Sequence, residues 1–69
     1  MVDTQLLESI IDNSGLKRTY LADKLGISIQ NLRLKITNKS DFRSNEVIIL
    51  CKELGITRAS DKEKIFLKM

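Results

Sequence analysis

Residues 18–36 read RTYLADKLGISIQNLRLKI, and this stretch decides the fold that the sequence predicts. Apolar residues recur at helical spacing on both sides of the central LGIS, which predicts short helices over residues 18–25 and 29–36. Gly26 lies in the turn between them and can adopt the positive φ that such a turn requires. Ser28 is a favourable N-cap for the second of the two helices. This pattern is typical of a helix-turn-helix.

The apolar positions of this stretch assign an inward and an outward side to each helix. At about 100° per residue, we expect the inward side to consist of Leu21, Ala22, Leu25, Ile27, Leu32 and Ile36. The outward side of the second helix then carries Gln30, Asn31 and Leu34. Ile29 and Arg33 flank that side near the core, and Lys35 lies at its other edge. A polar turn that only faces solvent would give the same pattern.

Helical spacing before and after this stretch extends the prediction along the chain. A first helix covers residues 4–14, with Asp3 or Thr4 as its N-cap. Thr37 and Asn38 terminate the third helix, and Asn38 can take the left-handed conformation that favours such a stop. A fourth helix begins after a Ser44 cap. The expected fold is therefore all-α: a compact bundle of four to five short helices with the helix-turn-helix at its centre.

The tail, residues 60–69, is consistent with three arrangements. Ser60 and Glu63 form a capping-box pattern that predicts a short fifth helix. Four apolar residues then crowd the end of the sequence: Ile65, Phe66, Leu67 and Met69. This end could fold onto the fourth helix, extend as a strand, or pair with a second subunit. Ile48 and Ile49 likewise either widen the core face of the fourth helix or meet a partner.

The composition excludes several classes of function. Sixty-nine residues make a single domain, 1–69. Without histidine and with one cysteine, the chain has neither a metal-ligand cluster nor an internal disulfide, and Cys51 is expected in the core rather than as a reactive thiol. We therefore expect no enzyme activity, no metal and no cofactor. No apolar run can cross a bilayer and no secretory signal is recognisable, which predicts a cytoplasmic protein without membrane contact.

Positive charge is concentrated around the predicted helix-turn-helix. The formal net charge is +3, but residues 16–43 hold seven basic and two acidic residues, a net charge of +5. Such a distribution indicates an electrostatic footprint for phosphate. In a chain with 30% charged residues, a cluster of this size can also arise by chance.

Lys17 and Arg18 stand at the start of the second helix, where a capping side chain would be preferred. Cations at a helix N-terminus are unfavourable against the helix dipole. Phosphate bound there by Lys17, Arg18 and the free backbone N–H groups would offset that cost. The alternative is a solvated helix end with ordinary basic residues.

Several short motifs also occur in register across residues 16–56. They are Leu21-Ala22, Leu25-Gly26-Ile27-Ser28, Leu32, Lys39 and Leu54-Gly55-Ile56. Together they resemble the Xre-type helix-turn-helix family of phage repressors and Cro proteins. The run NLRLKITNKSDFRSNEV, residues 31–47, is similar to small Firmicutes prophage regulators. The resemblance implies a lambda repressor-like domain that binds a double-stranded DNA operator, and we expect a homodimer with the third helix in the major groove.

The resemblance further implies which residues meet DNA. The base-facing positions are Ile29, Gln30, Asn31 and Leu34; Gln or Asn can bond adenine, and an aliphatic group can pack on a thymine methyl. Arg18 and Lys39 are expected to contact phosphate. The further candidates for phosphate and flanking contacts are Lys17, Ser28, Arg33, Lys35 and Arg43. Where the family usually has Ile or Val this chain has Lys35, which predicts a slightly rotated third helix.

A protein-directed role is the alternative to DNA binding. Small phage-encoded members of this fold can act on another phage repressor protein, as antirepressors or modulators of repression, and related domains act as antitoxins. Leu34 on the outward side, the isoleucines of the fourth helix and the apolar tail are what such a role would use. The basic helix-turn-helix favours DNA instead, and the two roles can coexist.

Overall fold

The computed structural model describes residues 1–66, which form five α-helices and no strand. The helices are α1 (Thr4–Ser14), α2 (Arg18–Leu25), α3 (Ile29–Ile36), α4 (Ser44–Leu54) and α5 (Ala59–Phe66). The predicted all-α bundle is confirmed, and α1, α2 and α3 have the predicted bounds. None of these helices combines the length and apolarity needed to span a membrane.

A single apolar core receives side chains from all five helices. Its fully buried members are Leu7, Ile11, Leu21, Leu32, Ile36, Leu50 and Ile65. The predicted inward side of the helix-turn-helix is confirmed, since Ala22 and Leu25 are buried as well and Ile27 packs against the core. Cys51 is buried as expected, and its burial raises the pKa of the thiol.

The short fifth helix predicted for the tail is confirmed over its described part, and it contacts α1 rather than extending as a strand. Residues up to Phe66 form α5, and Ile65 and Phe66 are buried in the shared core. The Phe66 ring meets the Phe42 ring edge-on, with 5.7 Å between the ring centroids. Burial of two large apolar side chains at about 1.5–3 kcal/mol each is what holds so short a helix in place. The predictions for Leu67 and Met69 concern positions outside the described residues.

The turn between α2 and α3 is fixed by backbone bonds on one side and a side-chain cap on the other. Gly26 has a φ of 70°, and its N–H and that of Ile27 donate to carbonyls of the last turn of α2, each at 3.0 Å. The Ser28 hydroxyl accepts from the Asn31 N–H at 3.1 Å, as the predicted N-cap should. The start of α3 is therefore held in a defined position relative to α2.

The end of α3 is held by the N-terminal segment of the chain. Asn38 has the predicted left-handed conformation, with a φ of 65°, and its side-chain amide bonds the backbone of Val2. The Thr4 hydroxyl donates to the Ile36 carbonyl at 2.6 Å. The Asp3 N–H donates to the Ile65 carbonyl at 2.7 Å. Residues 2–4 thus tie the end of α3 to the end of α5.

Two of the predicted helix caps are wrong. Ser44 is the first residue of α4, and Arg43 before it has the extended N-cap conformation. The Glu46 carboxylate accepts from the Arg43 N–H at 2.8 Å, so the N–H of the N-cap residue itself is satisfied. Ser60 is the second residue of α5, because the Arg58 carbonyl already accepts the first backbone bonds of that helix.

Candidate nucleic-acid interface

The side of α3 that faces away from the core carries three of the four residues predicted to face bases. Gln30 and Asn31 are exposed in its first turn, and Leu34 is 40% exposed one turn later. The side chain of Ile29 is half-buried and packs against the core, so only part of it reaches this surface. Two amides that can both donate and accept hydrogen bonds thus stand beside one exposed aliphatic group.

Exposed basic side chains occur in three segments of the chain: before α2, on α3 and in the loop after α3. Lys17 is exposed before α2, Arg33 is exposed on α3, and Lys39 and Arg43 are exposed in the loop that follows. The Lys39 N–H donates to the Leu34 carbonyl at 2.8 Å, so the loop folds back on the end of α3. None of these four cations is in an ion pair with another residue of the described chain.

Arg18 is the one predicted phosphate contact that has an acidic partner on the surface. Its guanidinium lies 3.0 Å from a carboxylate oxygen of Asp12 on α1. Both side chains are accessible to solvent, and an ion pair of this kind contributes only about 0–1 kcal/mol. Arg18 and Arg33 also line the same surface depression of about 380 Å³. Glu8 lines the depression as well, so a phosphate there would meet two guanidinium groups and one carboxylate, and would compete with Asp12 for Arg18.

Lys35 does not lie at the exposed edge of α3, and the prediction that it contacts DNA there is wrong. The residue is only 8% exposed, and its ammonium donates to Glu46 Oε1. Glu46 is 3% exposed, and these two are the only buried charged residues among residues 1–66. The aliphatic stem of a lysine can pack in a core when a buried carboxylate receives its ammonium. The partner lies on α4, which a local sequence pattern does not reveal.

The environment of Glu46 keeps its carboxylate ionised. Burial by itself raises the pKa of this group, but the bond from the Arg43 N–H and the neighbouring Lys35 ammonium outweigh it. The net result is a pKa below the ordinary value for glutamate. Glu46 is therefore a fixed negative charge in the folded protein at neutral pH.

A crevice of about 390 Å³ separates α3 from the start of α4. Asn31 lines it from α3, Arg43 and Asn45 line it from the α4 side, and the Lys35–Glu46 pair lies in its lining as well. Asn31, an expected base contact, and Arg43, an expected contact to the DNA backbone, therefore border the same crevice. The ion pair joins the two elements that carry them.

A second exposed feature lies on α4 and was only partly foreseen. Ile48 is 66% exposed, whereas Ile49 packs against the core, so the two isoleucines have different roles. Ile48 borders a groove of about 570 Å³ whose other apolar lining residues are Met1, Val2, Phe42, Val47 and Phe66. The groove assembles from both ends of the described chain, which is why helical spacing alone did not predict it.

A polar link between α2 and α4 was also missed. The Tyr20 hydroxyl donates to a carboxylate oxygen of Glu53 at 2.7 Å, and this bond raises the pKa of the phenol. The Lys24 ammonium lies 5.5 Å from the centroid of the same ring. The residues in both contacts lie on the outer sides of their helices, so the spacing of apolar residues in the sequence does not predict these contacts.

No protein-family model, curated protein or solved structure matches this chain. Within residues 1–66, no three His, Cys, Asp or Glu side chains are grouped as a metal ion would require.

Proposed function

We propose that this chain is a sequence-specific DNA-binding transcriptional regulator of the phage repressor or Cro type. In this proposal α3 enters the major groove, which is about 12 Å wide and admits an α-helix. The observation that supports the proposal is the exposed face of Gln30, Asn31 and Leu34, together with exposed cations before α2, on α3 and in the loop after α3. Such a regulator acts in the cytoplasm.

Base recognition is assigned to the exposed face of α3. The amides of Gln30 and Asn31 can each form a bidentate pair with adenine, which is worth about 1–3 kcal/mol of discrimination against the wrong base. Leu34 can pack on a thymine methyl. Ile29, half-buried at the start of α3, contributes at most an apolar contact at the edge of this face.

Phosphate binding is assigned to basic side chains. These are Lys17, Arg18, Arg33, Lys39 and Arg43, and Ser28 adds a hydroxyl at the start of α3. Such contacts fix the position and register of a protein on the duplex without reading the sequence. Lys35 has no part in this set because its ammonium is bonded to Glu46.

A homodimer is the expected DNA-bound form. The α3 helix has eight residues, and one such helix buries too little surface for tight and selective binding. Two copies related by a two-fold axis would read half-sites about 34 Å apart, which is one helical turn of DNA. The preferred duplex should then be an inverted repeat.

The proposal is tested by selecting duplexes from a random pool with the wild-type protein. Affinities are then measured for the selected duplex and for a scrambled version of it. We expect enrichment of an inverted repeat and a clear preference for it over the scrambled duplex. The Gln30→Ala variant should lose much of that preference, and Gln5→Ala is the matched control because Gln5 is exposed on α1. Absence of any enriched sequence, or equal effects of the two variants, would contradict the proposal.

A protein-directed role is the second candidate, and two exposed side chains favour it. Leu34 is 40% exposed at the centre of the α3 face, and Ile48 is 66% exposed beside the groove on α4. Exposed apolar side chains of this kind often mark protein contacts. In this role the chain would act as an antirepressor, a modulator of repression or an antitoxin-like protein by binding another repressor. Direct binding to a purified phage repressor, abolished by Leu34→Ala and retained by Gln30→Ala, would support it.

A further inference from the structure

The Lys35–Glu46 pair joins α3, which is assigned to base contacts, to the start of α4, where Arg43 is assigned to phosphate. A single oxygen, Glu46 Oε1, accepts both from the Lys35 ammonium and from the Arg43 N–H. Lys35 belongs to α3, whereas Arg43 is the N-cap of α4 and its side chain is exposed. One carboxylate therefore fixes the position of α3 relative to Arg43, the residue at the start of α4 that is assigned to DNA phosphate.

The pair also lies next to a residue assigned to base reading. Lys35 follows Asn31 by four positions, which at ~100° per residue places it only about 40° around α3 from Asn31. Asn31, Lys35 and Arg43 line the same crevice between α3 and α4. A shift or rotation of α3 at this point would move Asn31 relative to the cation beside it.

Stability by itself does not account for two buried charges at this place. Replacing a buried ion pair by apolar side chains of similar volume is often neutral or stabilising, because the desolvation penalty disappears. What apolar packing lacks is direction, whereas charge-assisted hydrogen bonds are short and constrain both distance and angle. The same two helices already supply apolar core side chains, Leu32 and Ile36 on α3 and Leu50 on α4.

We propose that the Lys35–Glu46 pair is a positioning device that sets how well the protein distinguishes DNA sequences. It holds the Asn31 edge of α3 at a fixed distance from Arg43, so base contacts and phosphate contacts form together. Neither residue touches DNA. This inference rests on the DNA-binding function proposed above.

The test uses a double variant that removes the ion pair but keeps the packing of the lysine stem and the acceptor for the Arg43 N–H. Lys35→Met keeps most of the lysine stem, and in Glu46→Gln the amide oxygen can still accept from the Arg43 N–H. We expect the double variant to fold but to be somewhat less stable than the wild type, because the introduced amide N–H2 group is buried beside an apolar methionine side chain. We also expect an unchanged affinity for random duplex. The ratio of affinities for the selected and scrambled duplexes should fall about tenfold, equivalent to about 1.4 kcal/mol.

Two further variants separate positioning from general loosening of the fold. Glu46→Asp keeps the charge but shortens the side chain by one methylene, so we expect the affinity ratio to fall in a protein that still folds. Tyr20→Phe removes a different bond to α4, the one to Glu53, and should leave the ratio unchanged. An unchanged ratio in both the double variant and Glu46→Asp would overturn the proposal. If the double variant does not fold, Glu46→Asp decides alone.

Residual dipolar couplings of the α3 amides give a readout that does not depend on DNA. In Glu46→Asp and in the double variant, we expect the couplings of α3 to change relative to those of α1, which carries neither residue of the pair. Unchanged couplings would overturn the positioning role even if the protein binds DNA as proposed. Changed couplings in a chain whose wild type prefers no duplex would instead retain the positioning role and overturn the proposed function.

Discussion

Asn38 holds the backbone of Val2 with both ends of its side-chain amide. The Val2 N–H donates to Asn38 Oδ1, and Asn38 Nδ2 donates to the Val2 carbonyl, each over 2.8 Å. The same residue turns the chain at the end of α3 with a positive φ. A position where glycine would usually be favoured therefore carries a side chain that anchors the N-terminal segment.

Replacing Asn38 by glycine separates these two roles. Glycine relieves the backbone conformation, but the variant loses the two hydrogen bonds to Val2, of about 0.5–1.5 kcal/mol each, and a longer one to the Thr4 hydroxyl. It also gains entropy in the unfolded chain. We expect Asn38→Gly to lower the free energy of unfolding by about 1–2 kcal/mol, measured by urea denaturation. If the variant is as stable as the wild type, the hydrogen bonds of the Asn38 amide do not contribute to stability, and the residue serves only to turn the backbone.

Glu46 predicts a specific dependence of stability on pH. Its pKa is lowered in the folded protein, so its contribution is fully present above the unfolded value of about 4.3. That contribution is lost as the pH falls through the folded pKa. We expect Glu46→Gln to be less stable than the wild type at neutral pH, with the difference shrinking in acid. Urea midpoints at a series of pH values measure this.

The control for this pH series is Glu63→Gln, because Glu63 is exposed on α5. It should give nearly the same curve as the wild type. A constant difference between wild type and Glu46→Gln from neutral pH to strong acid would contradict the ionised, paired state of Glu46.

The sequence predicted those parts of the fold that depend on local spacing. The bounds of α1, α2 and α3 follow from apolar positions three and four residues apart, and the Ser28 cap belongs to the same local pattern. The face of Gln30 and Asn31 was predictable because helical geometry fixes what lies opposite Leu32 and Ile36. These inferences need no knowledge of the rest of the chain.

The parts that the sequence did not predict depend on partners distant along the chain. A lysine beside an exposed face is ordinarily a surface residue, and only the fold brings Glu46 within reach of Lys35. The same carboxylate accepts from the Arg43 N–H, so α4 begins one residue earlier than the Ser44 cap predicted. The groove beside Ile48 requires both ends of the described chain. Long-range pairing of this kind leaves no periodic signal.

A change at Asp12 should strengthen the proposed DNA binding without altering the residues assigned to bases. Because the Asp12–Arg18 pair is exposed, Asp12→Asn should change stability by less than about 1 kcal/mol. It frees the Arg18 guanidinium, so we expect affinity for all duplexes to rise about threefold, or less than 1 kcal/mol. Asp23→Asn removes the same charge from an exposed position on α2 and is the matched control. An equal rise in both variants would show that only net charge matters.

The stoichiometry on DNA tests the dimer directly. Size-exclusion chromatography with light scattering should give two chains per selected duplex. A duplex that contains one half-site should bind a single chain, and more weakly. A complex of one chain on the full duplex, at the same affinity as on the half-site, would contradict the two-fold arrangement.

The most direct test of the central claim is the salt dependence of DNA binding. We expect the logarithm of the association constant to fall linearly with the logarithm of salt concentration between about 50 and 200 mM, with a slope of about −0.9 per phosphate neutralised. Lys39→Ala should reduce the magnitude of that slope, and Gln30→Ala should leave it unchanged while reducing sequence preference. Lys64→Ala, on the exposed side of α5, should alter neither. Salt-insensitive binding, or no binding to any duplex, would contradict the claim that this surface is built for DNA.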